Sequence, residues 1–312
     1  MNKDNLLSTY FMSCGFLPPE IIADSNIHRF KRDPSNKRND CWYLATKLLL
    51  SSGKESLSCT FGDWKTGEKH HFSNRDSLDQ SQQRELHAKR NAHMVALDKN
   101  IRALQSAAKE KANLILKKST LTIRHSYLDR KSIVLKKPIT IYKGSLAIPM
   151  VDLSGQLLGI QFIGLDDTKR FLSGQQVKGA VHLIGEISES TNVILVVEGF
   201  ATGYSVHAAT ALPVFCVFTA SNLISACPQI KAKYPGRKII ICADDDRWTN
   251  ENPGVSFAKK AVHATGGSIA IPEFKNLEKK PTDFNDLHVL EGLKEVRKQV
   301  LASYLKLNRG VV

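Results

Sequence analysis

The chain has 312 residues, 42% of them apolar, and carries 44 Lys and Arg against 30 Asp and Glu, a formal net charge of +14. That length suits two or three domains with ordinary cores, and no apolar run approaches the ~20 residues of a membrane span. With no signal-peptide pattern at its start, the reading is a cytoplasmic protein rather than a membrane or secreted one.

The charge, with a pI of about 9.5, suggests a polyanionic partner, a nucleic acid first; a merely soluble basic surface is the plainer alternative. The six cysteines, Cys14, Cys41, Cys59, Cys216, Cys227 and Cys242, include no Cys-x-x-Cys pair. Reduced thiols are expected. Cys41 and Cys59 with His70 and His71 match no common zinc spacing, so no zinc is expected either.

In chain order, residues 1–75 form a first segment rich in turn signals. Ile27-His-Arg-Phe30, Trp42-Tyr43 and Cys59-Thr-Phe-Gly-Asp-Trp64 read as short strands of a small β-rich module. Its aromatic and basic residues either stack on single-stranded nucleic acid or, for Phe61, Trp42 and Trp64, form a small core. Residues 76–120 then turn to Gln, Lys, Arg, Ala and Leu. Leu86, Leu97, Ile101, Leu104 and Ala108 fall at helical intervals, which predicts one long charged helix, or two, as a linker. Residues 121–189 are a basic α/β subdomain with a hairpin, 146–163, around Asp152-Leu-Ser-Gly155. There Lys169, Arg170 and Lys178 stand near glycines, an arrangement suited to phosphate or to an ordinary basic loop. From 190 to 300, strands alternate with helices: strand 193–197, a helix from near Thr202, strand 214–218, helix 222–233, strand 238–243, helix 254–264, strand 268–271 and a closing helix from Asp286. A mostly parallel sheet with flanking helices follows, with residues 301–312 as a tail.

The two strongest strands share an ending. Val193-Ile-Leu-Val-Val runs into Glu198, and Lys238-Ile-Ile-Ile-Cys-Ala runs into Asp244-Asp245-Asp246. Runs apolar on every residue are buried on both faces, and ligands of open α/β sheets bind at the carboxyl ends of such strands. Strand alternation would let Asp244 and Asp246 point together while Asp245 points away. Glu198, Asp244 and Asp246 are then expected to converge on one spot, where a hard cation such as Mg²⁺ offsets their repulsion. The plainer alternative is a turn and helix N-cap.

Together, Val197-Glu-Gly-Phe-Ala-Thr-Gly203 and Asp244-Asp-Asp246 resemble the TOPRIM-domain DNA primases of plasmids and phages, related to the DnaG-type primases of bacteria. His125-Ser-Tyr-Leu-Asp-Arg-Lys131, Gln161-Phe-Ile163, Lys169-Arg-Phe-Leu172, His182-Leu-Ile-Gly185 and Asp283-Phe-Asn-Asp-Leu287 extend the likeness, and Ile27-His-Arg-Phe30 with Phe61-Gly-Asp-Trp-Lys-Thr-Gly67 do so loosely. The resemblance implies a Rossmann-like TOPRIM fold over 190–300 and the synthesis of short RNA primers on single-stranded DNA from ribonucleoside triphosphates. It makes Glu198, Asp244 and Asp246 catalytic and metal-binding through Mg²⁺ or Mn²⁺. Asp245 becomes an auxiliary ligand, and Asp283 and Asp286 a later acidic patch. Lys143, Lys169, Arg170 and Lys178 become phosphate ligands. A separate replicative helicase is an implied partner. The alternatives are a metal-dependent nuclease using the same site, or a non-catalytic single-stranded-DNA-binding accessory. Thr219-Ala-Ser-Asn222 follows the family pattern only in part, and no phosphate-binding Gly-x-x-x-x-Gly-Lys loop is legible.

Overall fold

The computed structural model describes residues 3–35, 39–63, 68–73, 79–249 and 251–308. The chain divides into two compact units, Met1–Asn100 and Ile101–Val312. No described helix is long and apolar enough to cross a membrane.

In the first unit, helix α1 (Lys3–Ser13) precedes an antiparallel sheet of β1 (Asp24–Phe30), β2 (Cys41–Leu49), β3 (Glu55–Asp63) and β4 (Lys69–Ser73), in that order. The strands carry the expected aromatics, whereas α1 was not expected, since turn signals dominate the segment around it. Leu7 and Phe11, one helical turn apart, bury themselves against the sheet, and Phe11 stacks on Phe61 at 3.8 Å between ring centroids. Phe61 is thus a core residue. Trp42 is half-buried on β2, and Trp64 lies outside the described residues together with Lys65, Thr66 and Gly67. Cys41 and Cys59 are buried in this aromatic core, where burial pushes each thiol up to about 12. His70 bonds Glu68 and His71 bonds Thr60.

The linker is a single helix, α2 (Gln80–Lys117), beginning in one unit and ending in the other. Leu86 packs with Leu48 and Leu50, while Ala108, Ala112 and Ile115 pack on Ala147, Ile160 and Leu172. Ile101 and Leu104, expected to pack by their spacing, are exposed, and the side chain of Leu97 lies outside the description. The helix buries its ends and leaves this part of its apolar stripe in water.

The second unit contains two sheets. The first is an antiparallel meander of β5 (Thr120–Thr122), β6 (Ile139–Tyr142), β7 (Ser145–Val151), β8 (Leu157–Ile163) and β9 (Lys169–Phe171), with a short helix α3 (Ser126–Arg130) after β5. The expected hairpin is β7–β8. Asp152 Oδ1 holds its turn by accepting from the amides of Ser154 and Gln156, and Gly155 supplies a φ of 88°.

The second sheet has the order β10-β12-β11-β13-β14, from β10 (His182–Ile184), β11 (Val193–Val197), β12 (Val214–Cys216), β13 (Lys238–Cys242) and β14 (Ser268–Ala270). All are parallel except β10, which comes from the segment before residue 190 and pairs antiparallel with β12. Ile194, Val196, Ile239 and Ile241 face α5 (Leu223–Lys233) and α6 (Pro253–Thr265). Val193, Leu195, Val197, Ile240 and Cys242 face α4 (Phe200–Thr210), α7 (Phe284–Glu291) and α8 (Leu293–Asn308). Helices on both faces explain the unbroken apolar runs. The strands end one or two residues earlier than expected, at Cys216, Cys242 and Ala270. The closing helix is two helices, because Gly292 takes a φ of 87° that stops α7, and α8 runs on into the expected tail.

Gly203 lets α4 sit tightly on this sheet. A Cβ there would lie 2.4 Å from Cys216 Sγ and 2.9 Å from Ile184 Cδ1. Gly203→Ala is therefore expected to destabilise the chain by about 1–3 kcal/mol, read as a lower urea midpoint. Gly236→Ala, which meets nothing within 4 Å, should leave that midpoint unchanged.

Candidate active site

Val197 at the end of β11 pairs with Cys242 at the end of β13, so Glu198 and Asp244 emerge side by side at the carboxyl edge of the sheet. β11 is the central strand: the chain leaves it through α4 toward β12 on one side and returns to β13 on the other. That reversal opens the crevice in which doubly wound sheets bind ligands. The Glu198 carbonyl accepts from the Phe218 amide at 2.8 Å, and Gly199 then caps α4.

The electrostatics of this edge are dominated by buried negative charge. Burial, followed by the charge of Asp246, pushes the Glu198 carboxyl up to about 7; Lys169 opposes the shift, Asp283 adds to it, and the Ala220 amide donates to the carboxylate. Asp244 is raised well above the ordinary carboxylate range by burial, then by Glu198, Asp283 and Asp246, again against Lys169. Its Oδ1 is buried without a hydrogen-bond partner. Burial and then Asp286 raise Asp283 as well, with Lys131 and Lys169 opposing. Lys169 is the cation common to all three, reaching in from β9; its Nζ would lie 3.8 Å from a Cβ on Gly199.

The remaining expected residues are placed differently. Asp245 is buried with both oxygens engaged: Oδ2 by the Arg247 guanidinium (Nε at 2.7 Å and Nη2) and Oδ1 by Asn252 Nδ2 at 2.7 Å. These contacts tie Asp245, the expected auxiliary ligand, to the loop between β13 and α6. Asp246 Oδ2 accepts from the Gly254 amide at 3.0 Å. Asp283 Oδ1 caps α7 through the amides of Asn285 and Asp286, both at 2.8 Å, while its charge remains within the cluster. Asp286 is drawn aside, with Oδ2 on the Thr282 amide and Oδ1 3.8 Å from Lys131. Arg170 alternates with Lys169 on β9 and so projects from the other side of the strand. Lys178 is exposed on a loop fastened by Asn222, whose side chain bonds Gly179 N at 2.7 Å and the carbonyls of Ala180 and Val217 at 2.9 Å. Lys143 sits in the β6–β7 turn with Nζ 5.6 Å from the Tyr142 ring centroid.

The three expected acids are near enough for Asp246 to act on both Glu198 and Asp244. Among the described residues, no three His, Cys, Asp or Glu side chains are gathered closely enough to hold one ion as they stand. Asp244 and Asp246 lie beyond the last residue of β13, where strand alternation no longer governs direction, and Asp246 is turned to the Gly254 amide. The donor set nevertheless fits a hard dication: three mutually repelling carboxylates, one with a buried oxygen lacking any partner. Glu198, Asp244 and Asp246 are the residues that would hold it. Sequence reasoning passed over Arg247, Asn252 and Gly254, and gave Lys131 and Asn222 no role of their own. The one available signal was the Asn252-Pro-Gly254 run, in which Asn252 caps α6 and Gly254 lies in its first turn; a Cβ on Gly254 would lie 2.2 Å from the Asp244 carbonyl oxygen.

The Glu198 shift has a definite sign for stability. Its pKa is about 7 in the fold against 4.5 in the free side chain, so between those values the native state holds a proton that the unfolded chain has released. Stability of the metal-free protein should fall as pH rises through that window. Glu198→Gln should raise the thermal midpoint at about pH 8 and change it little at about pH 5, as read by calorimetry.

Residues 193–294 match the family described as Toprim domain. DNA primase TraC of Escherichia coli is 31% identical over 133 residues, covering 41% of this chain and 12% of the relative. A second protein of that name and organism is 31% identical over 137 residues, covering 42% and 10%. The match thus spans about a tenth of the length of these relatives. Similar solved structures include the primase fragment of the bacteriophage T7 primase-helicase protein, with 17% identity and a TM-score of 0.40 over 56% of this chain and 69% of that one. The Escherichia coli primase catalytic core is 15% identical with a TM-score of 0.33, over 59% and 62%. The layer that carries Glu198 and Asp244 is therefore a Toprim domain, in a chain similar to the DNA primases named TraC.

Proposed function

We propose that this chain is a DNA primase, making short RNA primers on single-stranded DNA for a plasmid, phage or other mobile element. The observation that carries the reading is the set of carboxylates of Glu198, Asp244 and Asp246, with Glu198 and Asp244 raised by burial and by their acidic neighbours and facing Lys169 at the edge of a Toprim sheet. The likeness to DNA primases named TraC supports the reaction class. A primer 3′-hydroxyl attacks the α-phosphate of a ribonucleoside triphosphate; the O–P bond forms as the bond to pyrophosphate breaks, and the hydroxyl proton leaves to a base.

Glu198 is the base for that proton where Asp244 and Asp246 alone hold the metal; as a metal ligand it stays ionised and orients the hydroxyl instead. Mg²⁺, or Mn²⁺, bound by Glu198, Asp244 and Asp246 would lower the pKa of the hydroxyl and offset charge on the transferring phosphate. Lys169 neutralises triphosphate oxygens beside the acids, and Lys178 and Arg170 meet backbone phosphates of the template. Lys143 is kept only as a more distant phosphate contact. Asp245 is assigned to positioning, and Asp283 and Asp286 to the support of α7 beside the cluster. The chain acts in the cytoplasm and works alongside a separate replicative helicase.

The test uses the full chain with single-stranded template, Mg²⁺ and labelled ribonucleotides. Glu198→Gln and Asp244→Asn should each lower primer yield by about 10²-fold or more. Undiminished synthesis in both would remove the assignment, and shortened DNA without synthesis would favour hydrolysis by the same site. Lys169→Met should raise KM for the triphosphate more than it lowers kcat, as measured in steady-state assays.

A further inference from the structure

A tryptophan stands at the rim of this site without a part in the chemistry above. Trp248 is 44% exposed, two residues after Asp246. Its Nε1 donates to the Pro281 carbonyl at 3.2 Å, and Pro281 precedes Asp283 by two residues. The segment around it is fastened repeatedly. The Asp245 amide donates to the Thr282 carbonyl at 2.6 Å, Thr249 donates to the Asp246 carbonyl through both N and Oγ1 at 2.8 Å, and Arg247 clamps Asp245. The indole is thus held by its polar edge on a loop stapled to the chain that leads into α7, with much of its apolar surface left in water.

Large exposed aromatic surface is costly to hydrate, and fixing it in place removes side-chain freedom before any ligand arrives. A flat π-surface of this kind suits a nucleobase, since stacking on an aromatic ring is available to every base. The neighbouring Lys279 and Lys280 are exposed cations that suit the phosphates accompanying such a base.

We propose that Trp248 is a stacking platform for a nucleobase at the edge of the active site, a reading that rests on the primase assignment for its ligand class. The base comes from the DNA template or from the incoming ribonucleotide. The experiment measures binding of the full chain to a fluorescein-labelled single-stranded oligonucleotide, and KM for the ribonucleoside triphosphate, in wild type, Trp248→Phe and Trp248→Ala. Trp248→Ala should weaken DNA binding about tenfold, with Trp248→Phe close to wild type because it keeps a ring. An oligonucleotide with abasic sites, equal in charge, should bind wild type as weakly as the intact one binds Trp248→Ala. A rise in triphosphate KM with unchanged DNA affinity would assign the stacked base to the incoming nucleotide. Unchanged DNA affinity and unchanged KM in Trp248→Ala would overturn the proposal, as would equal wild-type affinity for intact and abasic DNA together with unchanged KM. Binding requires no synthesis, so wild-type protein that binds DNA through Trp248 yet makes no primers would overturn the primase reading alone.

Discussion

Negative charge gathered at the ends of two buried parallel strands is the constraint on which the second unit turns. Burial alone disfavours ionised carboxylates, and neighbouring acids add to it: Asp246 and Asp283 raise Glu198, while Glu198, Asp283 and Asp246 raise Asp244, and Asp286 raises Asp283. A protein gains nothing in stability from such an arrangement, so it persists only where surrounding structure enforces it. Here the enforcement is the sheet itself: β11 and β13 are apolar on both faces, sealed by α5 and α6 on one side and α4, α7 and α8 on the other. Their carboxyl ends have little freedom to splay apart.

The loops that follow these strands are secured by residues that touch no reacting group. Arg247 and Asn252 hold the buried carboxylate of Asp245 in the loop between β13 and α6, so that Asp244 and Asp246 are presented by a braced backbone. Gly254 lets that loop fold back until its amide reaches Asp246. Asn222 ties the loop carrying Lys178 to the turn after β12, whose Ala220 amide meets Glu198. The antiparallel meander contributes from outside the parallel sheet. It packs Leu146, Ile148 and Met150 against Phe200 and Ala201 at the start of α4, and its edge strand delivers Lys169 to the acids. One cation therefore offsets repulsion among carboxylates that come from three separate stretches of chain, which links the folding of the two sheets to the charge balance of the site.

Much of this was readable from residue order. Unbroken β-branched runs marked β11 and β13, the alternation of strands with helices required a mostly parallel sheet, and an acid at the end of each strand marked the candidate site. The Asp152 turn gave the β7–β8 hairpin because its side chain satisfies local amides. These features are legible because they depend on neighbours within a few residues, where periodicity and turn chemistry act.

What only the tertiary structure decided depends on partners distant in sequence. Helix α1 owes its place to Phe11 stacking on Phe61, and Ile101 and Leu104 of α2 stay exposed despite their spacing. Asp245 and Asp246 are identical in type and adjacent, yet one is locked by Arg247 and Asn252 while the other stays with the acids. Of four candidate cations, Lys169 alone is coupled to the carboxylates, because β9 lies at the edge of a different sheet that packs beside them. Sequence determined which strands carry negative charge to the sheet edge, since that follows from local hydrophobic runs. Which carboxylates stay together, and which cation answers them, was decided by long-range packing and the direction each loop takes after its strand ends.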